Sequence, residues 1–248
     1  MATIAVYSSK GGVGKTSLAV NLAWAAATLS SRRTLLWDLD AQAAASFILA
    51  PERKGQDEAR AVIERDLAPE RLIVPTGVPG LDLLPADASL RTLDLLFAEI
   101  GAKKRLRRIG EALARSYDRV VIDCPPGLGI TAEQVMRGAA LILLPAIPSA
   151  LSVRAGEEVR RMLDLRKDGP RLLPVFNLVD RRRAGHLQAL RDDPARPAIP
   201  MASVVEQMAL RHAPLAAYSP RSPAAKAIAE LWVRIERQLA DGRTEEPK

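Results

Sequence analysis

The chain has 248 residues, 48% of them hydrophobic, which is enough to build one α/β domain around a large core. Its only cysteine, Cys124, excludes an intramolecular disulfide and argues against an iron–sulfur cluster held by the cysteines of one chain. The longest apolar run, residues 139–147, is far shorter than the roughly 20 residues of a membrane-spanning helix. No basic-then-apolar signal segment opens the chain, so we expect a cytoplasmic protein, and the net charge of +7 favours a polyanionic partner.

The chain begins with the pattern of a strand, a glycine-rich loop and a helix. Residues 3–8 have the length and the β-branched content of a strand, and residues 16–29 carry apolar side chains at helical spacing. The loop between them contains "SSKGGVGKTS" (residues 8–17). At such a turn, backbone N–H groups and the positive end of the helix dipole converge on one point, which suits a polyphosphate.

This loop departs from the strict phosphate-binding pattern G-x-x-x-x-G-K-[ST], because Ser9 stands where the first glycine belongs. Gly14, Lys15 and Thr16 fit the rest of the pattern. A dinucleotide fingerprint fits less well, because its third glycine would fall on Ser17. A second lysine precedes Lys15 within the loop, and the phosphate-binding pattern by itself gives it no role.

Two later strands end in carboxylates. The segment "RTLLWDLDAQ" (residues 33–42) has a buried-strand pattern that ends in Asp38 and Asp40, and "RVVIDCPP" (residues 119–126) runs into Asp123. Ligands of open parallel sheets bind beyond the carboxyl ends of the strands, where the phosphate loop also lies. An apolar strand that ends there in an aspartate is typical of the Walker B motif, whose carboxylate reaches a metal ion directly or through water.

The remaining segments alternate between helical and strand patterns. We expect helices at 55–67, at 88–118 with a break near Gly101, and a third helix that ends at Arg166. Strands are expected at 71–76, at 80–86, within 140–153 and at 171–180. No repeat or long linker divides the chain. The sequence therefore predicts a single doubly wound, mostly parallel sheet of the P-loop NTPase type, with helices on both faces. We assign it to residues 1–240, followed by a polar tail at 241–248.

Six segments, in order along nearly the whole chain, resemble the ParA/MinD family of deviant Walker-A ATPases, and most closely its small ParA-type partition proteins. They are "SKGGVGKTSLAVNLA", "LLWDLDAQ", "GLDLLPA", "YDRVVIDCPPGLG", "LLPAIPSALSVRAG" and "FNLVDRRR". The resemblance implies an ATPase that binds ATP and Mg²⁺, forms a homodimer with ATP, and hydrolyses ATP slowly until a partner stimulates it. One departure is Ala41, where the family usually has proline.

The resemblance also assigns roles to individual residues. Lys10 matches the family's signature lysine, which reaches across the dimer to the phosphates held by the other subunit, where a second cation offsets the charge brought together. The implied catalytic residues are Lys10, Lys15 and Asp40. The implied nucleotide-binding residues are Gly11, Gly12, Val13, Gly14, Lys15, Thr16, Ser17 and Asn177, the last as a contact to the base. The implied metal residues are Thr16, Asp38 and Asp123.

The C-terminal part of the chain bears on what such a dimer binds. A predicted helix there places Ile228, Leu231, Trp232, Ile235 and Leu239 on one face. The chain then ends in "DGRTEEPK", and anionic lipid would repel its paired glutamates. We therefore expect this helix to dock on the core rather than to bind a membrane. Basic residues cluster at 101–120 and at 181–237. The candidate DNA contacts are Arg181, Arg182, Arg183, Arg211 and Arg221.

Three functions remain open from the sequence. The first is a ParA-like ATPase whose ATP dimer binds nucleoid DNA without sequence preference and whose hydrolysis, stimulated by a ParB-like or other adaptor protein, positions DNA or a protein cargo. The second is a MinD-like regulator that cycles on a membrane. The third is a biosynthetic enzyme that uses the same phosphate loop to activate a small carboxylic acid.

Overall fold

The computed structural model describes residues 2–52, 58–64, 67–100, 104–164 and 169–241. The strands are β1 (Ala2–Val6), β2 (Thr34–Asp38), β3 (Val74–Pro75), β4 (Leu81–Leu84), β5 (Arg119–Asp123), β6 (Leu141–Ala146), β7 (Arg171–Val179) and β8 (Ala198–Pro200). The helices are α1 (Lys15–Leu29), α2 (Ala44–Leu49), α3 (Ala59–Glu64), α4 (Leu93–Ile100), α5 (Arg105–Leu113), α6 (Ile130–Gly138), α7 (Ala150–Asp164), α8 (Ala184–Asp192), α9 (Ser203–Arg211), α10 (Leu215–Tyr218) and α11 (Pro223–Asp241). Short 3-10 turns occupy Pro69–Arg71 and Ala88–Thr92.

The strands form one sheet in the order β3-β4-β2-β5-β1-β6-β7-β8. All neighbouring strands in it are parallel except β3, which pairs antiparallel with β4. The strand register places Asp38 opposite Asp123 and Val6 opposite Asp123, so the carboxyl ends of β1, β2 and β5 lie level with one another. The predicted mostly parallel, doubly wound fold is confirmed, and its topology brings the two acidic strand ends beside the glycine-rich loop.

Alternating side chains of the central strands belong to two hydrophobic clusters, one on each face of the sheet. Along β1, Ile4 and Val6 join the cluster under α1, α2 and α11, whereas Ala5 joins the cluster under α3 to α7. Both faces of a parallel strand are covered in this way, which explains the near-continuous apolar character of β1, β2 and β5. The glycine-rich loop and the two acidic strand ends therefore follow strands that are buried on both faces of the sheet.

Several elements differ from the pattern expected from sequence. The helix expected at 88–118 is a 3-10 turn followed by α4 and α5, and the anticipated break at Gly101 lies outside the described residues. The helix expected at 55–67 is described only as α3, and residues 165–168 and 242–248 are likewise outside the described part. Helix α2 and strand β8 were not anticipated, because each is too short to show a periodic pattern.

The C-terminal helix packs on the core, as expected. In α11, Ile228, Leu231, Trp232 and Ile235 are buried in the cluster that contains α1, while Leu239 is partly buried beside it. The indole N–H of Trp232 donates a hydrogen bond to the Ser30 hydroxyl at 2.8 Å. Among the described residues, no helix combines the length and the apolar character needed to cross a bilayer. The apolar face of α11 is thus buried against the core.

Candidate nucleotide-binding site

The glycine-rich loop presents open backbone at the start of α1. Gly12 and Gly14 have φ angles of 71° and 81°, in the left-handed region that side chains disfavour. Gly14 is the N-cap of α1 and supplies no side-chain hydrogen bond, so the first N–H groups of the helix are left for a ligand. Gly11 and Gly12 are exposed, while Thr16 and Ser17 are half-buried in the first turn. This arrangement suits a polyphosphate.

Lys15 is held within the loop. Its side chain is buried, and Nζ donates a hydrogen bond to the backbone carbonyl of Lys10 at 3.1 Å. Burial lowers the pKa of Lys15, and the nearby charges of Asp123 and Asp40 act in the opposite direction. A partly desolvated ammonium is thus held between the loop and two carboxylates, which is where the negative charge of a nucleotide phosphate would be neutralised.

Asn177, at the end of β7, braces the loop from below. Its side chain is buried, and Nδ2 donates a hydrogen bond to the Val13 carbonyl at 2.8 Å. A Cβ atom added at Gly14 would lie 2.4 Å from Nδ2, so this close approach adds a second reason for glycine besides the positive φ. The structure assigns the amide to the loop, and its role as a contact to the base stays a prediction.

Asp38 is buried, and both of its carboxylate oxygens accept hydrogen bonds. Oδ1 accepts a hydrogen bond from the backbone N–H of Asp40 at 3.1 Å, and Oδ2 accepts from the N–H and the hydroxyl of Ser46 at 2.9 and 2.7 Å. Burial raises the pKa of Asp38 to about 6, against the opposing effect of the bonds from Ser46 and Asp40. Asp38 therefore organises the turn that carries Asp40 and the first turn of α2.

Asp123 differs from Asp38 in having no hydrogen bond to either carboxylate oxygen within the described residues, although it is fully buried. Burial raises its pKa well above the usual range, the charge of Asp38 adds to this, and the Thr16 hydroxyl and Lys15 oppose it. A buried carboxylate without a donor, next to a threonine hydroxyl, has the chemistry of a Mg²⁺ site. The residues present therefore fit the predicted metal.

The described part of the chain contains no group of three or more His, Cys, Asp and Glu side chains arranged to hold a metal by themselves. Mg²⁺ in nucleotide sites is commonly held by one or two protein oxygens together with substrate phosphates. Thr16 and Asp123 are the groups that would contribute protein oxygens, and Asp38 is the strand neighbour of Asp123. When bound, Mg²⁺ would neutralise phosphate charge.

Asp40 lies at the rim of the site and is half-buried. Its Oδ1 accepts a hydrogen bond from the Gln42 N–H at 2.9 Å, and its carbonyl accepts from the Ala43 N–H at 2.8 Å, which forms a tight turn with Ala43 at a φ of 52°. Ala41, at the position of the missing proline, packs against the neighbouring hydrophobic cluster. The turn is thus formed without proline.

Lys10 is half-exposed beside the glycines. Its backbone carbonyl is taken by Lys15, but within the described residues its ammonium group makes no hydrogen bond or ion pair. The side chain is thus not engaged by its own subunit. A free cation at the mouth of a phosphate site is what the resemblance requires of a lysine that acts on a partner's nucleotide.

The loop after β5, residues 124–129, is tied to the phosphate loop, a link that sequence analysis missed. The N–H of Gly127 donates to the Ser9 carbonyl at 3.2 Å, and the buried Tyr7 hydroxyl donates to the Gly127 carbonyl. A cavity of about 200 Å³ adjoins this loop and is lined by residues that include Asp40 and Cys124. The only sequence signal was the strand-ending "PPG", which indicates a turn without naming its partners.

The five candidate DNA-contacting arginines are all exposed. Arg182 forms two hydrogen bonds to the Asp180 carboxylate, at 2.9 and 3.0 Å, which hold the pKa of Asp180 down to about 2. Arg183 lies 3.6 Å from the same carboxylate, and the Arg211 guanidinium lies 4.9 Å from the centre of the Tyr218 ring. Arg181 to Arg183 follow β7, Arg211 ends α9, and Arg221 precedes α11.

Comparison with known proteins identifies relatives of this chain. A family model described as an AAA domain matches residues 1–168. A ParA family protein of Chlamydia trachomatis is 36% identical over 162 residues, which cover 64% of each chain. The chromosome partitioning protein ParA of Caulobacter vibrioides is 31% identical over 201 residues, which cover 76% of this chain and 74% of that protein. The match to the Chlamydia relative thus spans less than two thirds of its length.

Solved structures share the fold over almost the whole chain. Cobyrinic acid a,c-diamide synthase from Mycobacterium smegmatis, with bound ATP analogue and magnesium, superposes with a TM-score of 0.80 at 28% identity and covers 100% of both chains. The cell division ATPase MinD of Pyrococcus furiosus superposes with a TM-score of 0.79 at 26% identity, covering 96% of this chain and 99% of that one. The predicted ATPase with ATP and Mg²⁺ as ligands agrees with these neighbours. By sequence and fold, the chain belongs to the ParA family of P-loop ATPases.

Proposed function

We propose that this protein is an ATPase whose Mg-ATP-bound form is a homodimer that binds DNA without sequence preference. Hydrolysis, stimulated by an adaptor protein, releases the dimer from DNA and thereby positions DNA or a protein cargo at the nucleoid. The ParA relatives support a role in partitioning, and the phosphate loop with its neighbouring carboxylates supports the ATPase. A dimer that persists only while ATP is intact acts as a timer.

The unengaged ammonium of Lys10 is the observation that carries this proposal. Lys15 alone accounts for the phosphates of one subunit, because it is buried in the loop and bonded to the backbone of residue 10. Lys10 stands half-exposed at the same mouth with its charge unpaired among the described residues. A second cation is needed where two nucleotides face each other across a dimer, since their charges would otherwise repel.

Within each subunit, we assign the work of hydrolysis to a few groups. Lys15 would neutralise phosphate charge, and Asp123 with Thr16 would hold the metal ion through their oxygens. Asp40, at the rim of the cavity beside the loop after β5, is placed to orient or accept a proton from an attacking water. Asp38 keeps Asp40 in position through the hydrogen bond from the Asp40 N–H.

DNA binding is supported by the exposed arginines after β7 and around α9 to α11. In a dimer these side chains occur twice, so two weak surfaces act together and the affinity for DNA depends on ATP. Each phosphate that they neutralise adds nearly one unit to the salt dependence of binding. The affinity for random DNA should therefore fall steeply with salt.

The decisive experiment measures binding to random-sequence duplex DNA with ATP, ADP or no nucleotide, at two salt concentrations. The wild type is compared with Lys10→Ala and with Arg71→Ala, a control that removes an exposed cation outside both basic clusters. We expect salt-sensitive binding with ATP only, lost in Lys10→Ala and retained in Arg71→Ala. Absence of binding in every nucleotide state would refute DNA as the partner.

A biosynthetic enzyme is the second candidate. It is favoured by the full-length likeness to a cobyrinic acid a,c-diamide synthase and by the cavity beside Asp40. Its signature would be ADP release that depends on a small carboxylic acid and does not require DNA or an adaptor. A panel of small carboxylic acids tested for stimulation of ADP release by the wild type distinguishes this function from partitioning.

A MinD-like membrane cycle is the third alternative. The likeness to an archaeal MinD is compatible with it, but the apolar face of α11 is buried against the core and is not available to lipid. In flotation with anionic liposomes and ATP, we expect the protein to remain in the unbound fraction. Stable ATP-dependent flotation would instead support the membrane cycle.

A further inference from the structure

A pair of hydrogen bonds joins helix α4 to the start of α6, at the end of the loop after β5. Oδ1 of Asp94, on α4, accepts hydrogen bonds from the Thr131 N–H at 2.7 Å and from the Thr131 hydroxyl at 2.6 Å. Thr131 lies in the first turn of α6, whose own N-cap, Gly129, supplies no side-chain bond. Asp94 therefore caps α6 from another helix, and the negative charge is favourable at that helix end.

The same carboxylate explains why residue 129 is glycine. The φ angle of Gly129 is −73°, which any residue adopts, so backbone conformation does not require glycine here. A Cβ atom at this position would lie 1.8 Å from Oδ2 of Asp94 and 2.7 Å from its Cγ. Helix α4 approaches the loop so closely through Asp94 that a side chain at residue 129 would have to displace the Asp94 carboxylate.

The loop is thus fixed at two points. Near its middle, Gly127 is bonded to the Ser9 carbonyl of the phosphate loop and to Tyr7. At its end, Thr131 is bonded to Asp94. The cavity of about 200 Å³ lies between these points and is lined by Asp40, Asp94, Gly127 and Gly129, among others. The position of α4 consequently sets the shape of the space next to the proposed catalytic aspartate.

We propose that Asp94 is a positioning residue for ATP hydrolysis. It acts through Thr131 and Gly129, holding the loop after β5 so that Gly127 keeps its bond to the phosphate loop and Asp40 keeps its space for water. This inference rests on the proposed ATPase function. Its loss should lower the turnover rate and leave nucleotide binding intact, since Lys15 and Asn177 hold the binding loop through hydrogen bonds to Lys10 and Val13 rather than through Asp94.

The test compares steady-state ATP hydrolysis and nucleotide affinity in Asp94→Ala, Asp94→Asn and Asp118→Ala. Asp118 is a matched control, because it also accepts a backbone N–H, from Arg33 at 3.0 Å, but at the opposite end of the sheet. We expect Asp94→Ala to lower kcat on the order of 10-fold with little change in the affinity for ATP. Asp94→Asn keeps an oxygen for both Thr131 bonds and should recover to within about threefold of the wild type.

A double-variant cycle with Gly129→Ala sharpens the test. The added Cβ should displace Asp94, so Gly129→Ala alone lowers kcat, and adding Asp94→Ala should cause no further loss because the clashing atoms are gone. Wild-type kcat in Asp94→Ala, or an equal loss in Asp118→Ala, overturns the inference while leaving the ATPase standing. A wild type that does not hydrolyse ATP overturns the proposed function and this inference together.

Discussion

Asp38 and Asp123 are direct partners on neighbouring strands, equally buried, yet their carboxylates are bonded differently. Three donors satisfy Asp38, whereas neither oxygen of Asp123 has a hydrogen bond within the described residues. A buried acid without a donor is costly to the folded state unless a cation compensates it. The hydrogen bonds of Asp38 give it a structural role, and the metal contacts predicted for Asp38 and Asp123 stay predictions.

The same substitution at the two positions should therefore have opposite effects. In nucleotide-free protein with chelator, Asp123→Asn should raise Tm by about 2–4 °C, the shift that roughly 1 kcal/mol produces in a domain of this size. Asp38→Asn should lower Tm, because the new amide places a donor against an N–H group. Thermal unfolding by calorimetry measures both. A lower Tm for Asp123→Asn would contradict the assignment of Asp123 as an uncompensated acid.

A second prediction at this scale concerns Asn177 and the loop it braces. Asn177→Ala removes the bond to the Val13 carbonyl, worth about 1 kcal/mol, so nucleotide affinity should fall roughly fivefold. Because the amide supports the loop, the loss should be the same for ATP and GTP. Titration of both nucleotides measures it, and a loss confined to ATP would instead assign the amide to the adenine base.

At the scale of elements, helix α11 is both the end of the described chain and part of its core. Trp232 is 1% exposed and Val233, its neighbour on the outer face, is 55% exposed. Arg119 and Arg32 also form ion pairs with Glu236 of this helix, at 2.6 and 3.6 Å. The helix is thus anchored by apolar burial and by charge to β5 and to the turn after α1.

Truncation of the buried side chain should therefore be severe. We expect Trp232→Ala to lower the free energy of unfolding by about 3–5 kcal/mol, while Val233→Ala should change it by less than about 0.5 kcal/mol. Urea denaturation followed by circular dichroism provides both values. Equal stability of the two variants would show that α11 is not part of the cooperative core and would reopen the membrane alternative.

At the scale of the whole molecule, the phosphate loop, the Asp40 turn and the loop after β5 meet at the carboxyl ends of the central strands β1, β2 and β5. Gly11 and Gly12 are exposed at this end of the sheet, and Lys10 is half-exposed beside them. A second subunit that approaches there would meet the nucleotide and the lysine together. This end of the sheet is therefore the surface through which ATP should control assembly of the dimer.

With a non-hydrolysable ATP analogue and Mg²⁺, we expect sedimentation velocity to show a dimer for the wild type and Lys226→Ala, and a monomer for Lys10→Ala. The affinity of Lys10→Ala for the nucleotide should stay within about threefold, since Lys15 bonds to the backbone carbonyl of residue 10, which the substitution keeps. A stable dimer of Lys10→Ala would remove the structural basis of the proposed assembly.

Much of the fold and of the phosphate site could be predicted from local sequence patterns. The glycine spacing, the apolar strands that end in Asp38 and Asp123, and the helical face of α11 are periodic or positional patterns, and each reappears in the structure. Helix α2 and strand β8 escaped prediction because six and three residues are too few to show a period. The helix expected at 88–118 begins instead with a 3-10 turn at Ala88–Thr92, and the break expected near Gly101 lies outside the described residues.

The sequence by itself determined which residue types stand at the phosphate loop and at the strand ends, because these depend on spacing along one chain. Only the tertiary structure decided how they are used. Asp38 is occupied while Asp123 has no donor, Asn177 lies beneath Gly14, and Asp94 reaches Thr131 across two helices. Such pairings join residues far apart in sequence, and their hydrogen bonds depend on how the sheet and its helices pack.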